Sequence, residues 1–173
     1  LTEISVGMFV LLLTLPMEEL GKYFFKFHAA LFLWLVGISL AFRIYGWGGE
    51  KYASAATVLF GIFWAGMAAL RWFWDKGKRN RVAESLVMFS GIWGLMSDVR
   101  VLRKWLEPLG WRSWMVDVTA TAGALLLGSV ILAKILGHSY LVAPKLDIRH
   151  LKRITRIFIA ALAARTLLLA VAV

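Results

Sequence analysis

KYFFKFHAALFLWLVGISLAF, residues 22–42, decides the fold. As a helix its 21 residues span about 32 Å, enough to cross the hydrocarbon core of a bilayer. Its only formal charges, Lys22 and Lys26, stand at its start, with His28 just inside them. A membrane span fixes the solvent, and a histidine inside one raises the question of function.

The rest of the chain repeats the pattern. Of 173 residues, 61% are hydrophobic and the mean hydropathy is +0.75, with the excess gathered in long runs. That marks an integral membrane protein rather than a large soluble core. Only 17% of residues are charged, yet the formal net charge is +10. Because the cations sit in short junctions between apolar runs, they read as a positive-inside signal and not as a nucleic-acid surface. With no cysteine, disulfides, thiolate haem ligation and cysteine-held iron–sulfur clusters are excluded. Leu1–Leu15 has neither a basic n-region nor a small-residue cleavage site, so it reads as a helix in a chain whose start, Leu1, is not the initiator.

The sequence predicts one all-α domain over residues 1–173, a polytopic transmembrane bundle of about six spans. The expected helices cover about 2–15, 22–45, 51–74, 82–102, 113–141 and 148–173. Pro16 restarts a helix whose first turn, with Glu18 and Glu19, is acidic, as the helix dipole favours. Pro144 ends the fifth helix and Asp147 caps the sixth. The alternation of barrel strands is missing. Thirteen of the 20 basic residues fall at the first, third and fifth junctions, which the charge bias puts in the cytoplasm, with both termini on the other side. Trp72 and Trp74 then mark the inner boundary, and Trp47, Trp105, Trp111 and Trp114 the outer one. The expected membrane is a bacterial or archaeal cytoplasmic membrane.

Small residues recur at spacing four on helix 3 (Gly61, Ala65, Ala69) and helix 5 (Ala120, Ala124, Gly128), and at spacings of four and three on helix 4 (Ser90, Gly94, Ser97). Such faces let helix backbones approach closely in lipid. The phenylalanines Phe24, Phe25, Phe27 and Phe32 suit either lipid or a partner subunit.

Three constellations carry candidate chemistry. His28 and His138 share a depth near the cytoplasmic side and are candidate axial ligands for a single haem b, with small residues beside His138 and Lys134 placed for a propionate. The segment Gly137–Tyr140 (GHSY), followed by Arg149, His150 and Lys152, offers donors for a quinone: His138 and Tyr140 would meet the carbonyls, and an imidazole exchanges protons near neutral pH. The bland reading is that these histidines are interfacial and the cations bind lipid phosphate. Arg165 falls near the midplane if helix 6 enters at Ile154, where an arginine costs at least about 2.5 kcal/mol and needs a partner or water. The acids available to it are Glu84, Asp98 and Asp117, all nearer helix ends. Glu84 is explained by the dipole at the start of helix 4, and Asp98 with Arg100 by solvation of its far end.

No nucleophile elbow, P-loop, HExxH or GxGxxG is present, so the chain has no catalytic motif of its own. The expected function is a membrane subunit of an electron-transfer or energy-transducing complex, contacting lipids and other membrane subunits. The alternative is a small transporter or channel with Arg165 near an anion path.

Overall fold

Two breaks and two caps set the element boundaries. Pro16 follows the end of α1, and Gly21 takes φ 77°, a conformation that costs a glycine little, so the acidic turn 17–20 is offset from the long helix that follows. Gly77, at φ 67°, closes α3: the Lys78 N–H bonds the Phe73 carbonyl at 3.1 Å, the six-to-one bond of a Schellman cap. Asn80 Oδ1 accepts from the Ala83 N–H at 3.2 Å and starts α4. Asp147 Oδ1 accepts from the Arg149 N–H at 2.9 Å, the cap expected for α6.

The fold is seen in a computed structural model, which describes residues 1–46, 51–106, 112–142 and 147–172, with side chains at 1–45, 55–103, 112–141 and 147–170. Six helices result: α1 (Thr2–Leu13), α2 (Met17–Gly46), α3 (Lys51–Asp75), α4 (Arg81–Leu106), α5 (Ser113–Val142) and α6 (Arg149–Ala172). No strand occurs among the described residues. Pro144, Trp47, Trp111 and the side chain of Trp105 lie outside the described residues.

Among the described residues four helices are long and apolar enough to cross a membrane: Met17–Tyr45, Ala55–Asp75, Arg81–Arg103 and Ser113–Leu141. Between 22% and 44% of the most apolar stretch of each is buried, so most of each span faces outward. Trp34, Phe42, Ile62, Leu86, Phe89 and Val130 are among the exposed large apolar side chains. In water such a surface would drive association; in lipid it is the expected outside. The protein is therefore an integral membrane helical bundle. α1, with 12 residues, is about 18 Å long and shorter than a bilayer core.

α1 is nevertheless the innermost element. Ser5, Val6, Gly7, Met8, Phe9, Leu11 and Leu12 are all buried. It lies along α5 and touches α4 and α2. α3 packs on both α2 and α4, and α6 packs on α5. Phe9 is the centre of an aromatic cluster, edge-on to Phe32 and Phe63 at 5.8 and 5.6 Å and tilted against Trp74 at 6.4 Å.

The close approaches fall where small residues were expected on two helices of three. At the α1–α5 crossing a Cβ on Gly128 would stand 2.3 Å from the Met8 nitrogen, and one on Gly7 would stand 1.9 Å from the Ala124 oxygen. On α4, Ser90, Gly94 and Ser97 are buried, and Gly94 meets the ring of Phe60. The α3 face is a correction. Ala65 and Ala69 are exposed and nothing lies within 4 Å of a Cβ on Gly61. α3 instead turns Phe60, Phe63, Met67, Leu70 and Trp74 inward, because large apolar rings gain more by filling the core than a small face gains by close contact. Trp74 is thus wholly buried and not an interfacial marker, whereas Trp72 and Trp114 are exposed. The phenylalanines divide, with Phe25 and Phe32 buried and Phe27 exposed.

Candidate functional site

Ion pairs between helices order the two ends of the bundle. At one end, Lys26 of α2 reaches Asp75 of α3 at 2.5 Å, and Arg149 and His150 of α6 reach Glu19 at 2.8 and 2.6 Å. The junctions α1–α2, α3–α4 and α5–α6, where the cations concentrate, therefore meet at a single end. At the opposite end Arg43 of α2 forks onto Asp98 of α4, and Arg103 of α4 onto Asp117 of α5. Asp98 is a cross-helix partner and does not merely solvate the end of α4.

The most enclosed charge pair joins Arg79 to Glu84, with side chains 9% and 2% exposed. Arg79 Nε and Nη2 donate to the two carboxylate oxygens at 2.9 and 2.8 Å, and the Trp74 indole donates to Oε1 at 3.1 Å. Arg79 also donates to the carbonyls of Leu15 at 2.8 Å and Leu13 at 3.3 Å, the orphan acceptors at the end of α1. Its guanidinium carbon lies 5.4 Å from the centre of the Phe25 ring. Every group is satisfied, so this node fixes structure. It also shows that the helix dipole is only part of why Glu84 is where it is.

Arg165 stands in contrast. Its Nη1 lies 3.0 Å from where a Cβ on Gly123 would be. Gly123 is four residues from the middle of the span Ser113–Leu141, so the guanidinium sits within about 6 Å of that midpoint along α5. The three acids available to it are taken: Glu84 by Arg79, Asp98 by Arg43 and Asp117 by Arg103. Among the described residues Arg165 has no carboxylate partner. Beside it, α5 and α6 frame an apolar groove of about 460 Å³ lined by Val118, Thr121, Ala122, Leu125, Ile157, Ala160, Ala161 and Ala164, with Asp117 at its edge. Neither Arg165 nor Gly123 lines that groove.

The histidines do not assemble a cofactor site. His28 is wholly buried among Phe24, Phe27 and Phe32, with ring centres 4.2, 5.7 and 6.4 Å away. Its Nδ1 lies 2.7 Å from the Phe24 carbonyl, and its Nε2 has no hydrogen-bond partner among the described residues. His138 is exposed, as is Lys134. On α5 the inward positions are Leu132 and Leu136, and His138 lies about 200° around the helix from Leu136. Ala124, one of the small residues of α5, packs against the backbone of α1 at Gly7. His28 is thus enclosed and His138 exposed, and no enclosed pocket lined by both occurs among the described residues. Nor do the quinone donors converge. The Tyr140 hydroxyl donates to the Asp147 carbonyl at 2.5 Å, and the Ser139 hydroxyl is turned back on its own helix. No group of three or more metal-ligating side chains occurs among the described residues.

His150, by contrast, is buried and held by Glu19, and Arg149 bonds both Glu19 and Asp147. Glu19, Arg153 and Arg156 join them around a cleft that sequence reading did not single out. The signal for it was the spacing of Arg149, Arg153 and Arg156, four and then three residues apart, which puts three guanidiniums on one face of α6.

No known protein family, no curated protein and no solved structure matches this chain.

Proposed function

We propose that the protein is an integral membrane subunit of a larger membrane complex, and that it supports that assembly without holding a redox centre of its own. The observation that carries this reading is Arg165. A guanidinium near the middle of a span, with every nearby acid engaged elsewhere, calls for a carboxylate from a neighbouring membrane subunit. The paucity of intramembrane acids among the described residues supports the same reading. In this reading α6 joins the four long spans, and the shorter α1, enclosed by them, is the sixth membrane-embedded helix. The basic junctions then lie in the cytoplasm, and both termini face the other side of a bacterial or archaeal cytoplasmic membrane.

Mild detergent extraction from the native membrane, followed by native mass spectrometry, tests this. Wild-type protein is expected to travel with a second membrane chain, and Arg165→Leu to travel without it. A wild-type protein that elutes alone overturns the proposal. The dithionite-reduced spectrum is expected to show no haem band, and a band abolished by His28→Ala would restore the electron-transfer reading in its narrower form.

Arg165, without a carboxylate partner among the described residues, also supports one alternative, an anion path through the bundle. Chloride or phosphate flux into liposomes containing the purified chain alone, lost in Arg165→Leu, would select it.

A further inference from the structure

The turn between α1 and α2 and the first two turns of α6 enclose an open cleft of about 750 Å³. Pro16 and Glu19 line one side, and Arg149, His150, Arg153, Arg156 and Ile157 the other. Glu19 is the single carboxylate in that lining, and Arg149 and His150 occupy both of its oxygens, at 2.8 and 2.6 Å. Asp147 neutralises Arg149 further and takes the first N–H of α6, so the helix terminus is already capped.

Arg153 and Arg156 remain. Arg153 donates one N–H to the Thr14 carbonyl at 3.4 Å, and Arg156 one to the Lys152 carbonyl, also at 3.4 Å. A guanidinium carries five N–H donors, so most donors of both groups have no protein acceptor among the described residues. Arg43, Arg79 and Arg103 each fork onto a carboxylate. Two cations one helical turn apart repel each other, and an anion between them removes that cost. The fork geometry of guanidinium suits phosphate, and basic pockets between helices at the inner membrane surface bind anionic headgroups.

The cleft does not stop at the headgroup level. Ile157 also lines the apolar groove between α5 and α6. A cationic cleft that opens onto an alanine-lined groove is complementary to an amphiphile with a charged end and a hydrocarbon tail. We infer that this combined surface is a binding site for one anionic phospholipid, its phosphate held by Arg153 and Arg156 and one acyl chain lying over Ile157 against Ala160, Ala161 and Ala164. The inference is independent of the partner assigned to Arg165, which lines neither surface.

Nanodiscs containing equal parts of phosphatidylglycerol and phosphatidylcholine provide the test, with retained lipid counted by native mass spectrometry. Wild type is expected to keep one phosphatidylglycerol in preference to phosphatidylcholine. The double variant Arg153→Gln/Arg156→Gln should lose retention roughly 30-fold, about fivefold for each cation removed near a lipid surface, whereas Lys76→Gln/Lys78→Gln, the same charge loss at the same end, should lose less than about threefold. Ala161→Leu, which fills the groove without changing charge, should also lower retention. Equal losses in the two charge pairs, or no preference for phosphatidylglycerol, overturn the site. Unchanged retention in Ala161→Leu overturns the seating of the acyl chain. Displacement of the lipid by millimolar inorganic phosphate would identify a soluble-anion site and overturn the phospholipid assignment.

Discussion

α5 has two principal neighbours, and it treats them differently. Toward α1 the backbones touch, Gly128 against Met8 and Gly7 against Ala124, and the end of α1 is locked by an arginine whose three nitrogens all donate to protein acceptors. Toward α6 the contact leaves a groove, and the arginine at the seam has no carboxylate among the described residues. Two buried or half-buried guanidiniums in one small bundle thus serve opposite ends. Arg79 closes the interior, whereas Arg165 keeps one side chemically unfinished. The difference teaches that α1 belongs to the fold and that the α6 side belongs to whatever the fold meets.

Five variants probe that contrast. Glu84→Gln should act most strongly. It leaves Arg79 charged and enclosed, at a cost of about 3–5 kcal/mol to the folded bundle, read as a fall in thermal midpoint in detergent. The paired change Arg79→Met/Glu84→Met should recover much of that loss, since two apolar side chains leave no charge stranded. Arg165→Leu should go the other way. An α6 segment should insert more favourably by about 3 kcal/mol in a translocon assay, because no internal partner is lost. A stability loss in the isolated chain would reveal a hidden partner and erase the contrast between the two arginines. Gly128→Ala should cost about 2–3 kcal/mol, because the new methyl meets backbone atoms that cannot step aside. Gly123→Ala on the same helix should stay within about 1 kcal/mol of wild type, since its methyl meets only the movable end of Arg165. If the last two changes cost the same, α5 is packed alike on both sides.

Hydropathy and punctuation made the helices legible. The four long spans, the Asp147 cap and the break around Pro16 follow from run lengths and from residues whose backbone preferences are strong. The gathering of three basic junctions at one end was legible in the placement of cations, and it holds as a pattern of ion pairs. Which way each helix turns was not legible. On α3 both a small-residue stripe and an aromatic stripe are available, and hydropathy does not rank them. Only the volume to be filled around Phe9 selects Phe63 and Trp74 over Gly61 and Ala65. The acids show the same limit. Glu84, Asp98 and Asp117 each satisfy a local rule at a helix end, but their true partners come from other helices or a preceding turn. The histidine pair shows the same limit. Depth along the helix put His28 and His138 level, while rotation about the axis sends His138 outward.

The placement of α1 also bears on how the chain is made. Gly7 and Gly128 meet although about 120 residues separate them, and the arginine that answers the carbonyls of Leu13 and Leu15 lies more than 60 residues downstream of them. At ~5–20 residues per second, α5 follows α1 out of the ribosome by roughly 6 to 24 seconds. For the first part of that interval, until Arg79 is made, the most enclosed helix of the finished bundle has neither its cap nor its principal neighbour. α1 must therefore wait, at the insertion machinery or against lipid, until late-made helices close around it, and a chain stalled before α5 should present α1 to membrane quality control.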